Sequence, residues 1–207
     1  MNDDYGQPIA RDALRIQRSL PGPIERIWAY LTESDKRGEW MARGEMDLRV
    51  GGQVHLFFHH ASLSSEPGRA PAKYQDMEDG VGMEGRITVC EPPRRLGYTW
   101  GESDGSTSEV LFELEPRDEH VLLTVIHSKL RDREEMVSVA GGWHAHLGIL
   151  RDRLEGREPG NFWRLHDGLE AEYDRRPPLS RSRDAAGAPM RGFSPATPRA
   201  RPGSARG

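Results

Sequence analysis

The chain has 207 residues, 30% of them charged and 35% apolar, and a formal net charge of −4. That acidic balance argues against a broad nucleic-acid groove, which needs a basic face, and no stretch approaches the roughly 18 apolar residues of a membrane span. Cys90 is the single cysteine, which rules out an internal disulfide and fits a reducing cytoplasm.

The N-terminus, Met-Asn-Asp-Asp-Tyr, carries no apolar run of the kind a signal peptide needs. Residues 12–20 place Leu14, Ile16 and Leu20 on one side and predict a first strand. Pro21-Gly22-Pro23 ends it, and Pro23 suits the first position of a helix. Ile24, Ile27, Trp28 and Leu31 then follow the i, i+3, i+4, i+7 spacing of one apolar helix face. Ser34 is a candidate cap for a second short helix reaching Trp40 and Met41.

From residue 44 onward the period changes to two. Met46, Leu48 and Val50 alternate with charged residues, Gly51-Gly52 supplies a hairpin turn, and Val54, Leu56 and Phe58 return. Residues 61–80 hold Pro67, Gly68, Pro71 and Gly80 and read as a long mobile loop, a length that often serves as a lid. Four further strands carry inward sets of Met83, Ile87 and Val89; Leu96, Tyr98 and Trp100; Val110, Phe112 and Leu114; and Val121, Leu123, Val125 and His127. Asp104-Gly105 marks an intervening hairpin.

Asp132 with Glu135 resembles a capping box and opens a long helix. Its stripe is Met136, Ala140, Trp143, Leu147, Leu150 and Leu154, and Gly156 ends it. Asn161 is placed to cap a last helix with Phe162, Leu165, Leu169 and Tyr173 on one side. Residues 177–207 turn to Arg, Pro, Ser, Gly and Ala, with six arginines against Asp184, so this segment is +5 and the rest −9. Such a segment cannot bury enough apolar surface to offset its ordering entropy and is expected to be a disordered tail. The folded unit expected is residues 8–176.

A strand, two short helices, a six-strand meander and a long C-terminal helix make an α+β arrangement, a curved antiparallel sheet wrapped around a helix. The residues that fill it are Pro23-Ile24-Glu25-Arg26-Ile27-Trp28, Glu39-Trp40-Met41 and Asp47-Leu48-Arg49-Val50-Gly51-Gly52. To these are added Glu91-Pro92-Pro93-Arg94-Arg95-Leu96, Tyr98-Thr99-Trp100 and Gly141-Gly142-Trp143. Over residues 10–155 this set resembles the SRPBCC (START-like) superfamily of the helix-grip fold, and more closely bacterial homologues of the Aha-type activator of heat-shock-protein ATPase. The resemblance implies an internal cavity that accepts lipids or other apolar small molecules in many relatives. It does not imply one reaction, since some relatives cyclise polyketides, some carry lipids and the eukaryotic namesakes dock on a chaperone.

Gly141-Gly142 weakens its own helix by roughly 1 kcal/mol per glycine, which points either to pocket lining or to close helix–sheet packing. Tyr98, Trp100, Phe58 and Phe112 share the inward phase and would face the same hollow, or form ordinary core. His127 also falls in the apolar phase. A buried imidazole needs a partner, so His127 either anchors a polar ligand group, acts as a base, or bonds to backbone at a strand exit. His144 and His146 point in different directions on a helix, as do His59 and His60 on a strand, so neither pair chelates an ion. Cys90 beside Glu91-Pro92-Pro93 has the setting of a strand end, not of a nucleophile.

The expected function is therefore a non-catalytic module for a small, largely apolar molecule, with Trp40, Phe58, Tyr98, Trp100, Phe112, His127 and Trp143 lining its cavity. No cofactor, metal, nucleic acid or membrane span is expected, and the expected location is cytoplasmic. Two alternatives stand beside it: an enzyme of the cyclase or aromatase kind in which His127 moves protons, and a protein-binding module that assists a chaperone.

Overall fold

The computed structural model describes residues 5–66, 68–101 and 107–176. The Asp104-Gly105 hairpin and the tail from residue 177 lie outside the described residues.

Seven strands form one antiparallel sheet: β1 (Gln7–Ala10), β2 (Ala13–Pro21), β3 (Gln53–Phe58), β4 (Val81–Glu91), β5 (Arg95–Trp100), β6 (Ser108–Arg117) and β7 (His120–Ser128). Their spatial order is β1-β2-β7-β6-β5-β4-β3. Strands β3 to β7 are a meander, and β2 closes on β7 with Ile16 opposite Val125 and Leu20 opposite Val121. Among the described residues there are also four α-helices, α1 (Ile24–Thr32), α2 (Ser34–Gly38), α3 (Arg133–Leu154) and α4 (Phe162–Arg175). The sheet is curved and unclosed, and it grips α3, as a helix-grip fold does.

The period-two strands bury the faces their alternation requires. Val110, Phe112 and Leu114 on β6 and Val121, Leu123 and Val125 on β7 are all buried, and each such side chain contributes roughly 1.5–3 kcal/mol when fully removed from water. On β4 the register slips between Ile87 and Val89. This bulge turns Val89 out of the inward phase and sets Cys90 opposite buried Leu96. The Cys90 thiol donates to the Leu48 carbonyl at 3.3 Å, and burial pushes its pKa up, which leaves it a poor nucleophile.

One expected strand is absent and one unexpected strand is present. Residues 46–50 form no strand; only the bridges Arg43–Phe57 and Met46–Val54 reach β3. Asp47 O accepts from Arg49 N at 2.7 Å, so the chain doubles back before a ladder can extend. Leu48 and Val50 consequently stay exposed. The seventh strand is instead β1, whose mostly exposed four residues, Gln7-Pro8-Ile9-Ala10, carry no alternation and which pairs by register with β2.

Ser34 does not cap α2; its hydroxyl accepts from Gly44 N at 3.0 Å, at the turn that leads into the bridge with Phe57. Gly44 has φ +127°, and a Cβ there would collide with the His55 carbonyl oxygen. The same turn is held by fully buried Arg37, which donates to the carbonyls of Thr32 (2.9 Å) and Gly44. The cap of α3 is as its residues suggest: Asp132 Oδ1 accepts from Glu135 N at 2.9 Å, and Glu135 reaches back to Arg131 N at 2.6 Å. Asn161 caps α4 through Arg164 N at 3.1 Å.

Helix α3 is enclosed on two sides, by the sheet and by α4, so its buried residues spread beyond one stripe to Val137, Gly141, Ala145, His146 and Ile149. The buried face of α4 is Phe162, Trp163, His166 and Tyr173, rotated from the expected stripe, and Leu165 is 39% exposed.

Candidate functional site

A cavity of about 310 Å³ lies where the sheet, α3, α4 and the 60–80 segment meet. Phe58 on β3, Val81, Gly82 and Met83 on β4, Trp100 on β5 and His127 on β7 contribute from the sheet. Ser138, Val139, Gly142, Trp143 and His146 contribute from α3, and Phe162, Trp163 and His166 from α4. His60, Tyr74 and Met77 contribute from the 60–80 segment. None of the described lining residues is Asp, Glu, Lys or Arg.

Four of the residues that the sequence singles out, Phe58, Trp100, His127 and Trp143, come together here. Their rings make one cluster: Trp100 lies 5.6 Å from Phe58, 5.4 Å from Trp143 and 5.5 Å from His127, centroid to centroid. Trp40, Tyr98 and Phe112 do not reach the cavity. Phe112 backs Trp143 edge-on at 5.5 Å, and Tyr98 fills the space between Trp100 and Phe112. Trp40 is fully buried behind α3, with its indole N–H on the Tyr30 carbonyl at 2.8 Å. Tyr98 and Phe112 share the inward phase with Phe58 and Trp100, yet that phase does not separate side chains at the cavity wall from those one layer behind it.

His127 has both ring nitrogens occupied. Trp143 Nε1 donates to Nδ1 at 3.0 Å, and Nε2 lies 2.8 Å from Ser108 Oγ. An indole nitrogen only donates, so Nδ1 carries the lone pair and Nε2 the proton. Burial pushes the ring's pKa down to about 3 and keeps it neutral. A base needs a free lone pair, and in this arrangement His127 has none to offer.

The sequence does not single out the other imidazoles as lining. His146 Nδ1 donates to the Trp40 carbonyl at 2.8 Å, which fixes its tautomer and leaves Nε2 with the lone pair. His60 stacks on Phe162 at 4.1 Å and lies 5.4 Å from His146, and its Nδ1 is buried without a partner. Burial lowers His146 to about 4 and His60 to about 2, the latter helped by its histidine neighbours. His166 packs against Tyr74 at 5.1 Å, and burial lowers its pKa as well. Along the chain each pair, His59-His60 and His144…His146, can be compared only with itself, whereas the fold brings one member of each pair together. Among the described residues no group of three or more His, Cys, Asp or Glu is placed to hold a metal ion.

The two glycines of α3 divide the tasks between them. A Cβ at Gly142 would meet nothing within 4 Å, because the cavity is there. One at Gly141 would touch the Glu170 backbone nitrogen at 3.4 Å, so the close approach it permits is of α4, not of the sheet.

The 60–80 segment is tied down over the cavity. A 3₁₀ turn, His60–Leu63, is followed by a second over Ala72–Met77. Tyr74 Oη donates to Glu170 at 2.8 Å and pairs with Ser138 Oγ at 2.8 Å, and Lys73 joins Glu170 at 2.8 Å. Burial alone would raise the Glu170 carboxyl, but these donors bring it below the usual range. Further back, Ser64 Oγ donates to the Pro159 carbonyl, and Glu66 accepts from Asn161 N and pairs with Arg164.

A family model described as Activator of Hsp90 ATPase homolog 1-like protein matches residues 21–155. No curated protein matches the chain. Among solved structures, a solution NMR structure of a Bordetella parapertussis protein is 42% identical with a TM-score of 0.71, covering 84% of this chain and 91% of that one. CalU16 from Micromonospora echinospora is 23% identical with a TM-score of 0.56, covering 78% and 86%. DynU16, from the dynemicin biosynthetic locus, is 19% identical with a TM-score of 0.53, covering 73% of this chain and 50% of its own. These last two share the fold.

Proposed function

The chain belongs to the Activator of Hsp90 ATPase homolog 1-like family, within the SRPBCC superfamily, and on that premise we propose that it is a START-like module that binds a small, largely apolar ligand. The binding unit is residues 8–176, and the site is the cavity between sheet, α3 and α4. The observation that carries this reading is the cavity itself: about 310 Å³ walled by Phe, Trp, Tyr and neutral His, with no charged side chain among its described lining. That volume is at the lower end of the roughly 300–1,000 Å³ of small-molecule sites, and the mix of apolar wall and a few polar atoms is their usual chemistry. Of the residues proposed from sequence, Phe58, Trp100, His127 and Trp143 form part of the wall, joined by His60, His146, Phe162, Trp163 and His166.

Native mass spectrometry of the protein purified from its own host tests this directly, the expected result being a retained small molecule. Thermal unfolding with added apolar compounds is the companion measurement, because a ligand that binds only the native state must raise Tm by mass action. Protein that carries no adduct and whose Tm is unmoved by any apolar compound at saturating concentration would remove the proposal.

A further inference from the structure

We propose that His146 makes this cavity select neutral aromatic ligands that carry a hydroxyl, the ligand O–H donating to His146 Nε2, over carboxylates of the same size. The inference rests on the cavity being the ligand site. It adds the chemical class that the site prefers.

Its starting point is the tautomer of His146. The ring is 6% exposed, lines the cavity, and spends its one N–H on the Trp40 carbonyl at 2.8 Å. The remaining nitrogen is an acceptor, and no described protein group engages it. As an acceptor on a cavity-lining ring it is available to a ligand hydroxyl, and a hydrogen bond made there, away from bulk water, favours a ligand that brings the donor. His60, 4% exposed and 5.4 Å from His146, likewise receives no hydrogen bond from the protein at its buried Nδ1. His127 is used by Trp143 and Ser108, and Tyr74 by Ser138 and Glu170, whereas His166, whose Nε2 lies 3.4 Å from the Ser138 carbonyl, keeps a buried Nδ1 without a partner and is a second acceptor in the same wall.

Charge decides against acids. No Lys or Arg is among the described lining residues, so an ionised carboxylate would enter without a cation to meet it. A phenol enters neutral and brings the donor that the imidazole lacks. The ring faces of Trp100, Trp143 and Phe162 favour a flat aromatic body over a flexible chain.

Isothermal titration calorimetry of the full chain near neutral pH, with 2-naphthol, 2-methylnaphthalene and 2-naphthoate, separates the possibilities. The expected order is 2-naphthol tighter than 2-methylnaphthalene by about tenfold or more, with 2-naphthoate weakest. Equal affinity for the first two, or tighter binding of 2-naphthoate, overturns the hydroxyl selectivity while leaving the cavity as a binding site. Binding of none of the three overturns the hydroxyl selectivity, and the retained-ligand and Tm measurements then decide the cavity reading separately. His146→Phe should erase the preference for 2-naphthol and keep 2-methylnaphthalene binding; a preference that survives the substitution sinks the proposal. Should that variant not fold, ¹⁵N-histidine NMR of the unmodified protein decides the same question. The His146 Nε2 resonance should move with 2-naphthol and not with 2-methylnaphthalene, and an unmoved resonance overturns the proposal.

Discussion

Trp143 on α3 donates its indole N–H to Nδ1 of His127 on β7 at 3.0 Å, a hydrogen bond with both partners buried. It ties the gripped helix to the last strand of the meander at the cavity wall. It also fixes the imidazole tautomer, since the proton displaced from Nδ1 must sit on Nε2, facing Ser108.

Trp143→Phe should therefore cost about 1–3 kcal/mol, the penalty for leaving a buried acceptor unpaired, beyond any change in packing. Urea denaturation reads the loss as a lower midpoint with an unchanged slope. An unchanged midpoint would mean that the bond is not made in solution.

The buried histidines predict the acid limit of the fold. Burial holds His60 at about 2, His127 at about 3 and His146 at about 4, each below its ordinary 6.5. Above about pH 6.5 these rings are neutral in both folded and unfolded chains, so their full contribution is present. As pH falls from 6.5 towards 4, the unfolded chain takes up protons that the folded chain refuses, and stability drops. Each ring contributes a slope of roughly 1.4 kcal/mol per pH unit in that window. His60→Phe should make the decline shallower, as measured by urea unfolding between pH 7 and pH 5; a flat profile in the unmodified protein would contradict the burial.

Gly142 offers a way to fill the cavity without disturbing the core. Gly142→Ala should stabilise the protein by about 0.8–1 kcal/mol through helix propensity alone, because its Cβ meets open space. Gly142→Leu should keep the fold and abolish ligand uptake, as seen by calorimetry with the naphthalene series. Uptake that survives Gly142→Leu would place the ligand elsewhere.

Glu170 gathers Lys73 and Tyr74 onto α4. Glu170→Ala should loosen the Ala72–Met77 turn and leave the sheet intact. Amide hydrogen exchange is expected to speed up over residues 72–77 with β6 and β7 unchanged. Uniform protection across both would show that the segment is held by its rings against Trp163 and His166 instead.

Where the fold is legible in the sequence, one physical signal dominates. Strands β6 and β7 each carry an unbroken alternation over a half-buried face, so their inward sets, down to His127, can be read directly. Met46-Leu48-Val50 has the same alternation and forms no strand, because a local turn at Asp47 competes with the ladder and no neighbouring layer covers Leu48 and Val50. β1 shows the converse, paired by an adjacent hairpin with no pattern of its own. On α4, His166 occupies the buried place that hydrophobicity assigns to Leu165, since aromatic packing with Tyr74 and Phe162 accepts a neutral imidazole.

By itself the sequence determined the fold class, the order of its main elements and the fact that aromatic rings and His127 point inward, all of which follow from periodicity, a property of neighbours along the chain. Only the tertiary structure decided which inward residues touch open space: Trp143 and Trp100 do, Phe112 and Tyr98 do not. It also decided that His60, His146 and His166 converge from a loop and two helices. Depth and convergence depend on how separate elements pack in three dimensions, and no local period encodes them.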